Sequence, residues 1–478
     1  MISSQEQFYQ ERSSHWDRVA NKLEKWHGWS GYYQKRISQI YQFNIPPGQE
    51  VLEVGCGSGN LIASLKPSFG LGIDISEKMI TRAKLLHPEI NFQHSTAIDN
   101  GSSSHKFDFI VLSDTINDLW DVQEMFEAIH KKLKPDGRII LNFYSRFWEF
   151  PLRAATALNI AKPTLLQNWL TKEDTSNLLN LSGFEVIRHW EEVLLPLPIP
   201  ILAPLFNKIL VRIWPFQLLA MTHFMVAKKR AIPDPSSKTK YSTSIIIPAR
   251  NEEGNIKPAF ERIQRIGKST EIIFVEGNSS DNTAQEIDKQ IKAHPQQKAV
   301  HLKQSGKGKG DAVRLGFSEA KGDVLMILDA DLTMAPEDLP RFYEALSTGA
   351  GDFINGVRLV YPMEKQAMRF LNLLGNKAFT LIFSFLIGQP IKDTLCGTKV
   401  LWRRDYQKIA DNRQYFGDFD PFGDYDLIFG ATKLNLKIVD MPIRYRERTY
   451  GTTNIRRWKH GWLLLRMVLF AARRLKFI

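Results

Sequence analysis

Two aspartates separated by one residue carry the most specific chemistry this chain could perform. Residues 322–334 read Gly-Asp-Val-Leu-Met-Ile-Leu-Asp-Ala-Asp-Leu-Thr-Met. The apolar run 324–328 after a Gly-Asp turn predicts a strand buried on both faces of a mostly parallel sheet. At its end Asp329 and Asp331 would point the same way, with Ala330 turned back into the protein. Two hard oxygen donors at that spacing suit one Mg²⁺ or Mn²⁺ that completes its shell with water and substrate phosphates, the grip a nucleotide diphosphate needs. An isolated Asp-x-Asp is also a common solvated turn after a core strand, so the company it keeps must decide.

Two further predicted strands, beginning at 244 and 271, end in Pro248-Ala249-Arg250-Asn251-Glu252-Glu253 and in Glu276-Gly277-Asn278-Ser279-Ser280-Asp281. Polar residues thus gather at carboxyl ends, where open α/β sheets bind ligands. Downstream, Gly423-Asp424-Tyr425-Asp426 offers a carboxylate able to take the proton of an attacking hydroxyl. The same acids could instead stabilise a helix N-terminus.

A separate constellation lies in the first half. Residues 51–54 predict a short buried strand that runs into Gly55-Cys56-Gly57-Ser58-Gly59 and then a helix over 60–65. Glycines there let backbone approach a ligand closely at a helix N-terminus. The next predicted strand, 71–73, ends in Asp74, whose carboxylate would emerge beside the loop and could accept both hydroxyls of a ribose.

The stretch 51–76 resembles class I S-adenosylmethionine-dependent methyltransferases, a Rossmann-like fold. The resemblance implies that Glu53, Gly55, Gly57 and Gly59 hold the methionine end of that cofactor, Asp74 the ribose, and Met79 the neighbourhood of the adenine. Residues 107–112 fit the family's fourth strand, and 133–139 the turn before its fifth. His94-Ser95-Thr96-Ala97 departs from the acidic residue such enzymes often carry after the third strand. Asp114, Asn117 and Asp118 are the methyl-acceptor candidates, with helix capping as the alternative. No Asn-Pro-Pro-Tyr motif is present, which tilts the acceptor toward a hydroxyl or carbon on a small molecule or lipid.

Residues 241–451, with Lys307-Gly-Lys-Gly-Asp-Ala312 before the third strand, resemble a family 2 glycosyltransferase of the GT-A fold. By that resemblance Pro248, Ala249, Arg250, Asn251, Glu252 and Glu276 surround the nucleotide of a sugar donor. Asp329 and Asp331 hold the metal and the donor diphosphate. Asp424 stands at the catalytic base of an inverting displacement, or positions the acceptor if that is an already ionised lipid phosphate. Glu276-Gly277-Asn278-Ser279 replaces the Asp-Asp-Gly-Ser of many relatives, which leaves the nucleotide open. Residues 393–398 resemble the donor-sugar segment of polyprenyl-phosphate sugar transferases, and 446–451 their basic loop, making Arg448 a diphosphate clamp.

These motifs need scaffolds. At 478 residues the chain exceeds one hydrophobic core, and the expected class is α/β with two domains: 1–230, a linker over 231–241, and 242–454. Leading helices are expected within 15–41 from their apolar spacing. Residues 171–181 predict a helix, and 184–193 and 221–228 a closing hairpin. The Pro-broken apolar stretch between them reads as a cap over a lipid-like acceptor, an interfacial patch, or a domain contact. Two cysteines make no disulfide framework, and a formal charge of +12 favours an anionic partner. Without nucleic-acid-binding motifs, nucleotide sugars and a membrane surface rank ahead of nucleic acid. A polar N-terminus and the lack of a long apolar run predict neither export nor a spanning helix, hence a cytoplasmic protein. After Glu447 there are no acids, and the basic, Trp-bearing segment 455–478 reads as an interfacial helix on the inner membrane face, or a docked terminal helix. A second apolar helix is expected over 370–387. Together these predict a bifunctional transferase acting on a lipid-linked or saccharide acceptor. The alternatives are a glycosyltransferase with a non-catalytic docking or sensing module, and an inactive membrane-docking scaffold.

Overall fold

The computed structural model describes residues 4–21, 29–96, 105–158, 163–232, 234–361, 370–415, 423–448, 450 and 457–477. It divides into two compact units, with the break between Arg230 and Ala231.

In the first unit seven strands form one sheet: β1 (Glu50–Val54), β2 (Phe69–Asp74), β3 (Asn91–His94), β4 (Phe107–Ser113), β5 (Leu133–Tyr144), β6 (Phe184–Glu192) and β7 (Thr222–Lys229). Their order is β3-β2-β1-β4-β5-β7-β6, with β1 to β5 parallel and β7 antiparallel to both its neighbours. Alternate residues of the central strands feed two cores. Val51, Val111, Ile140 and Val226 face one side; Leu52, Ile110, Ile139 and Leu141 face the other. Burial on both faces explains why these strands are largely apolar. The strand order reverses between β1 and β4, and a ligand crevice opens at such a switch point.

Helices Ser4–Ala20 and Trp29–Asn44 precede the sheet. Thr171 caps helix Lys172–Leu181 through a reciprocal box with Asp174. The Pro-rich stretch between β6 and β7 folds into short turns, Leu202–Pro204, Leu205–Ile209, Leu210–Arg212 and Phe216–Leu219. Buried Asn207 organises them, accepting from Leu194 N and Leu195 N at 2.8 Å each.

The second unit has its own seven-stranded sheet: β8 (Thr243–Ala249), β9 (Thr270–Glu276), β10 (Lys298–Lys303), β11 (Val324–Ile327), β12 (Phe353–Val357), β13 (Lys399–Trp402) and β14 (Ile438–Pro442). The order is β10-β9-β8-β11-β13-β12-β14; β8 to β11 are parallel and β13 runs against both its neighbours. Ile245, Ile247, Phe274, Met326 and Leu328 fill one face. The stretch 231–241 belongs to this unit: Pro235–Thr239 is a short 3-10 helix, and Tyr343 Oη donates to Ser237 O at 3.0 Å. Helices Phe370–Ile387 and Arg457–Ala471 are present, and Phe429 stacks on Phe470. Among the described residues no helix is long and apolar enough to cross a membrane.

Candidate active sites

The glycine loop of the first unit leaves β1 in left-handed backbone, with φ near 74° at Gly55, 53° at Gly57 and 76° at Gly59. Each glycine answers a different demand. A Cβ on Gly55 would meet Thr115 Oγ1 at 2.6 Å, and one on Gly59 would meet Phe92 Cζ at 2.5 Å. At Gly57 a Cβ would have no neighbour within 4 Å. Gly57 also lines a cavity of about 1160 Å³ together with Glu53, Gly55, Asp74 and Met79. A bare, open backbone beside acidic groups fits the methionine end of a cationic sulfonium cofactor.

Asp74 locks the loop, accepting from Gly57 N and Ser76 N at 2.8 Å each. Burial outweighs those bonds and raises its pKa. Glu53 accepts from Ile62 N at 3.0 Å. Burial pushes its pKa up to about 8, and nearby Asp74 adds to the effect. Met79 packs against Val19 and Ala20.

The three acceptor candidates separate. Asn117 is spent on structure, donating to Asn168 O and accepting from Tyr144 N. Asp118 is held by Arg12 Nε at 2.8 Å and Trp16 Nε1 at 2.7 Å. Asp114, just beyond β4 at φ 56°, accepts from Asn142 Nδ2 at 2.6 Å, from Tyr33 Oη at 2.9 Å and from Tyr144 Oη at 3.4 Å. Sequence reading missed Tyr33, Asn142 and Tyr144, which lie on three different elements without a shared motif. Ala97 of the segment after β3 lies outside the described residues.

In the second unit β11 ends at Ile327, so Asp329 and Asp331 sit in the turn beyond it rather than on the strand. Ala330 between them is buried, although the backbone there is no longer a strand. Asp331 Oδ1 accepts from Thr333 N and Oγ1, while Oδ2 takes Arg448 Nη2 at 2.7 Å. Arg448 also reaches Glu252 at 3.3 Å. Asp329 pairs with Lys309 Nζ at 2.5 Å. Burial works against the Asp329 charge, yet Lys309 holds its pKa below the usual carboxylate value. Lys309 opens helix Lys309–Glu319 directly after Gly308, φ 90°. Its motif is visible in the sequence, though its role as the partner of Asp329 is not. Gly397 completes the enclosure: a Cβ there would overlap the Asp329 carboxylate and the Lys309 ammonium.

Asp424 is the first residue of helix Asp424–Lys433, behind Gly423 in left-handed backbone. It is buried, and its Oδ1 has no hydrogen-bond partner among the described residues. Lys399 Nζ lies 3.8 Å away and also donates to Cys396 O. Burial raises the Asp424 pKa against the opposing pull of Lys309 and Lys399. Neighbouring Asp426 pairs outward with Arg413 instead.

The two loops after β8 and β9 are clasped together. Asn251 Oδ1 accepts from Ser280 N at 2.8 Å, and Asn251 N donates to Ser279 Oγ. Glu276 turns into its own loop to accept from Ser279 N at 2.5 Å, and that bonding overcomes burial to lower its pKa. Pro248 is half-buried, Ala249 buried and Arg250 exposed. Arg358, directly after β12, and Asp393 form a two-point pair at 2.7 and 2.8 Å.

Among the described residues no group of three or more His, Cys, Asp or Glu gathers as a metal cage. Asp329 and Asp331 are a two-carboxylate set of hard oxygens, which fits Mg²⁺ or Mn²⁺ arriving with substrate phosphates.

A doubly wound first unit with a glycine cradle, and a second sheet with aspartates, lysine and arginine at its carboxyl edge, define two transferase-type domains. Residues 26–189 match the family model of a methyltransferase domain, and 244–410 that of glycosyl transferase family 2. The chain is therefore a methyltransferase domain followed by a family 2 glycosyltransferase domain. It is 28% identical over 218 residues to a dolichol-phosphate mannosyltransferase of Pyrococcus furiosus, covering 45% of this chain and 59% of that protein. It is 28% identical over 230 residues to a polyprenol monophosphomannose synthase of Mycolicibacterium smegmatis, covering 46% and 84%. A solved S-adenosylmethionine-dependent methyltransferase of Thermotoga maritima shares 16% identity with a TM-score of 0.36, over 46% of this chain and 99% of that one.

Proposed function

We propose that the chain is a bifunctional enzyme, an S-adenosylmethionine-dependent methyltransferase joined to a metal-dependent, inverting glycosyltransferase that moves a sugar from a nucleotide donor to a polyprenyl-type lipid phosphate or a saccharide. The observation that carries it is the convergence of Asp329, Asp331, Lys309, Arg448 and Asp424 at one edge of the second sheet. The relatives' names motivate the lipid-phosphate acceptor. A divalent ion, when bound by Asp329 and Asp331, would neutralise the departing nucleoside diphosphate. Lys309 and Arg448, now paired with those carboxylates, would turn to the donor's phosphates as the donor enters. The loops after β8 and β9 would frame the nucleotide. Asp424 would take the proton of a hydroxyl acceptor, or hold an ionised phosphate acceptor through Lys399 beside it. In the first unit the glycine loop and Asp74 would seat the cofactor, and Asp114 would face the acceptor. Peripheral attachment to the inner membrane face is proposed from the basic, apolar helix Arg457–Ala471.

The test is a nucleotide-sugar screen with Mn²⁺ for wild type and Asp329→Ala, with and without a polyprenyl phosphate, beside calorimetry with S-adenosylmethionine. Transfer that needs the ion, the carboxylate and the lipid supports the second half of the reading. No donor turnover sinks that half. No cofactor heat would reduce the first unit to a docking module.

A further inference from the structure

The cavity around the glycine loop is larger than its cofactor alone requires. Pockets that enclose one drug-sized ligand run to about 300–1,000 Å³, and this one reaches about 1160 Å³. Its lining includes the apolar Trp148, Leu152, Leu165, Trp169, Leu197 and Met221, with Arg153 and Gln167 among them. The segments that bear this wall also turn apolar side chains outward. Phe150 is 77% exposed, Leu166 80%, Ile201 83% and Trp214 74%. Trp148 Nε1 donates to Leu219 O at 2.9 Å and ties the helix Glu149–Ala157 region to the turn Phe216–Leu219. Scattered exposed leucines mean little, but large apolar side chains exposed on the segments 147–166 and 199–219, which flank the wall residues in sequence and form an apolar collar, mark a contact with something apolar. Its charge says what. Residues 193–221 contain no acid; Arg212 is buried against Glu192, while Lys208 is exposed, as is Arg146.

We propose that the methyl acceptor is a membrane lipid carrying a free hydroxyl, drawn into this cavity from an anionic bilayer on which the collar rests, with Asp114 as the group that takes the hydroxyl proton. This rests on the reading of the first unit as a methyltransferase. In the step the acceptor oxygen forms a bond to the methyl carbon of a sulfonium donor. The carbon–sulfur bond breaks with its electron pair leaving on sulfur, and the hydroxyl proton passes to Asp114. Position supports the assignment. Asp114 adjoins Thr115, whose hydroxyl packs over Gly55 and donates to Val54 O at 2.8 Å, so the carboxylate stands beside the loop that would hold the reactive end of the donor. Tyr33 and Tyr144 stack 6.0 Å apart on either branch of that carboxylate. Burial and Asp114 itself keep both phenols protonated far above neutral pH, so they aim Asp114 and do not compete as bases.

The test follows amide hydrogen exchange of the full chain with vesicles of phosphatidylcholine and phosphatidylglycerol. Exchange should slow in 146–158 and 196–219. A Trp214→Glu/Leu218→Glu variant should lose that protection while keeping it in the helix Arg457–Ala471. With vesicles of total membrane lipid, labelled methyl from S-adenosylmethionine should enter the chloroform-soluble fraction. Asp114→Asn should slow that transfer by about 10²–10⁴, leaving cofactor heat and vesicle protection unchanged. Cofactor heat with no vesicle effect on the collar overturns the docking, as does protection there that is complete before vesicles are added. Label confined to water-soluble product overturns the acceptor class. Absence of cofactor heat instead refutes the underlying methyltransferase reading.

Discussion

Glu53 offers a test in which stability and ligand binding move in opposite directions. Its carboxyl is buried, bonded to one backbone N–H, and its pKa is raised from 4.5 to about 8. A carboxyl with a raised folded-state pKa leaves stability intact below the unfolded value and costs stability as pH climbs toward the folded one. Between those limits the unfolded chain sheds the proton while the folded chain must keep it. The loss is about 3 kcal/mol by pH 7 and levels at about 5 kcal/mol above pH 9. Glu53→Gln removes the titration and retains an oxygen to accept from Ile62 N. In a unit spanning residues 1–230, about 3 kcal/mol corresponds to a Tm gain of roughly 6–12 °C. Cofactor-free protein carrying Glu53→Gln should therefore melt higher than wild type at pH 8, converge with it at pH 4.5, and show a flatter profile between. A bound cationic sulfonium would favour the ionised acid. Wild type should thus release up to one proton on binding at pH 7, read by calorimetry in two buffers of different ionisation enthalpy, and the variant should release none and bind more weakly. Superimposable melting profiles across pH 5–9, with no difference in proton release, would refute the electrostatic argument.

Gly59→Ala should lose cofactor heat and lower the first transition by about 1–3 kcal/mol, because the left-handed backbone is strained for alanine and its Cβ meets Phe92; calorimetry and melting read both. Asp329→Asn should slow sugar transfer by about 10²–10³, with donor affinity in Mn²⁺ falling in parallel by calorimetry. Arg358→Met strands the buried Asp393 carboxylate that it holds below the usual pKa. The second unit should lose about 3–5 kcal/mol, recovered in part by adding Asp393→Asn. In wild type the same pair predicts stability present above the unfolded pKa of Asp393 and lost as pH falls below it, visible in acid melts.

Both sheets were legible because their central strands are largely apolar and give way to glycine or polar residues, Gly55 after β1, Ser113 and Asp114 at the end of β4, and Asp329 after β11. Residues 51–54, 107–112 and 324–328 mark β1, β4 and β11 to within a residue or two. What escaped was partnership across long sequence distance. Nothing local says that Lys309 meets Asp329, that Arg448 spans Asp331 and Glu252, or that Tyr33 from a leading helix reaches Asp114 beyond β4. The acceptor candidates show the limit most clearly. Asp114, Asn117 and Asp118 share one short segment, but only its fold decides that Asn117 bonds backbone, Asp118 holds Arg12, and Asp114 meets two phenols. The apolar stretch 193–221 had several readings because proline fixes local backbone without fixing which face is covered.

The two sites prepare for their ligands by opposite electrostatic means. In the first unit Glu53 and Asp74 are buried with backbone N–H partners, and their pKa values rise. Such a pair gains most from a ligand that brings positive charge, and an anionic ligand would deepen the penalty. In the second unit Asp329 and Asp331 are already neutralised by Lys309 and Arg448. A divalent ion entering alone would have to displace those cations and leave them uncompensated in a partly buried site. Entering with a diphosphate, it takes the carboxylates while the displaced cations take the phosphates, and every charge keeps a partner. It follows that metal and nucleotide donor should bind the second unit as a pair, each weakly without the other. On the proposed reading, the first unit should need no ion at all to bind a sulfonium cofactor. A metal titration that is tight without nucleotide would contradict the ion-pair logic of Asp329 and Asp331. Chelator-sensitive cofactor binding would contradict that of Glu53 and Asp74.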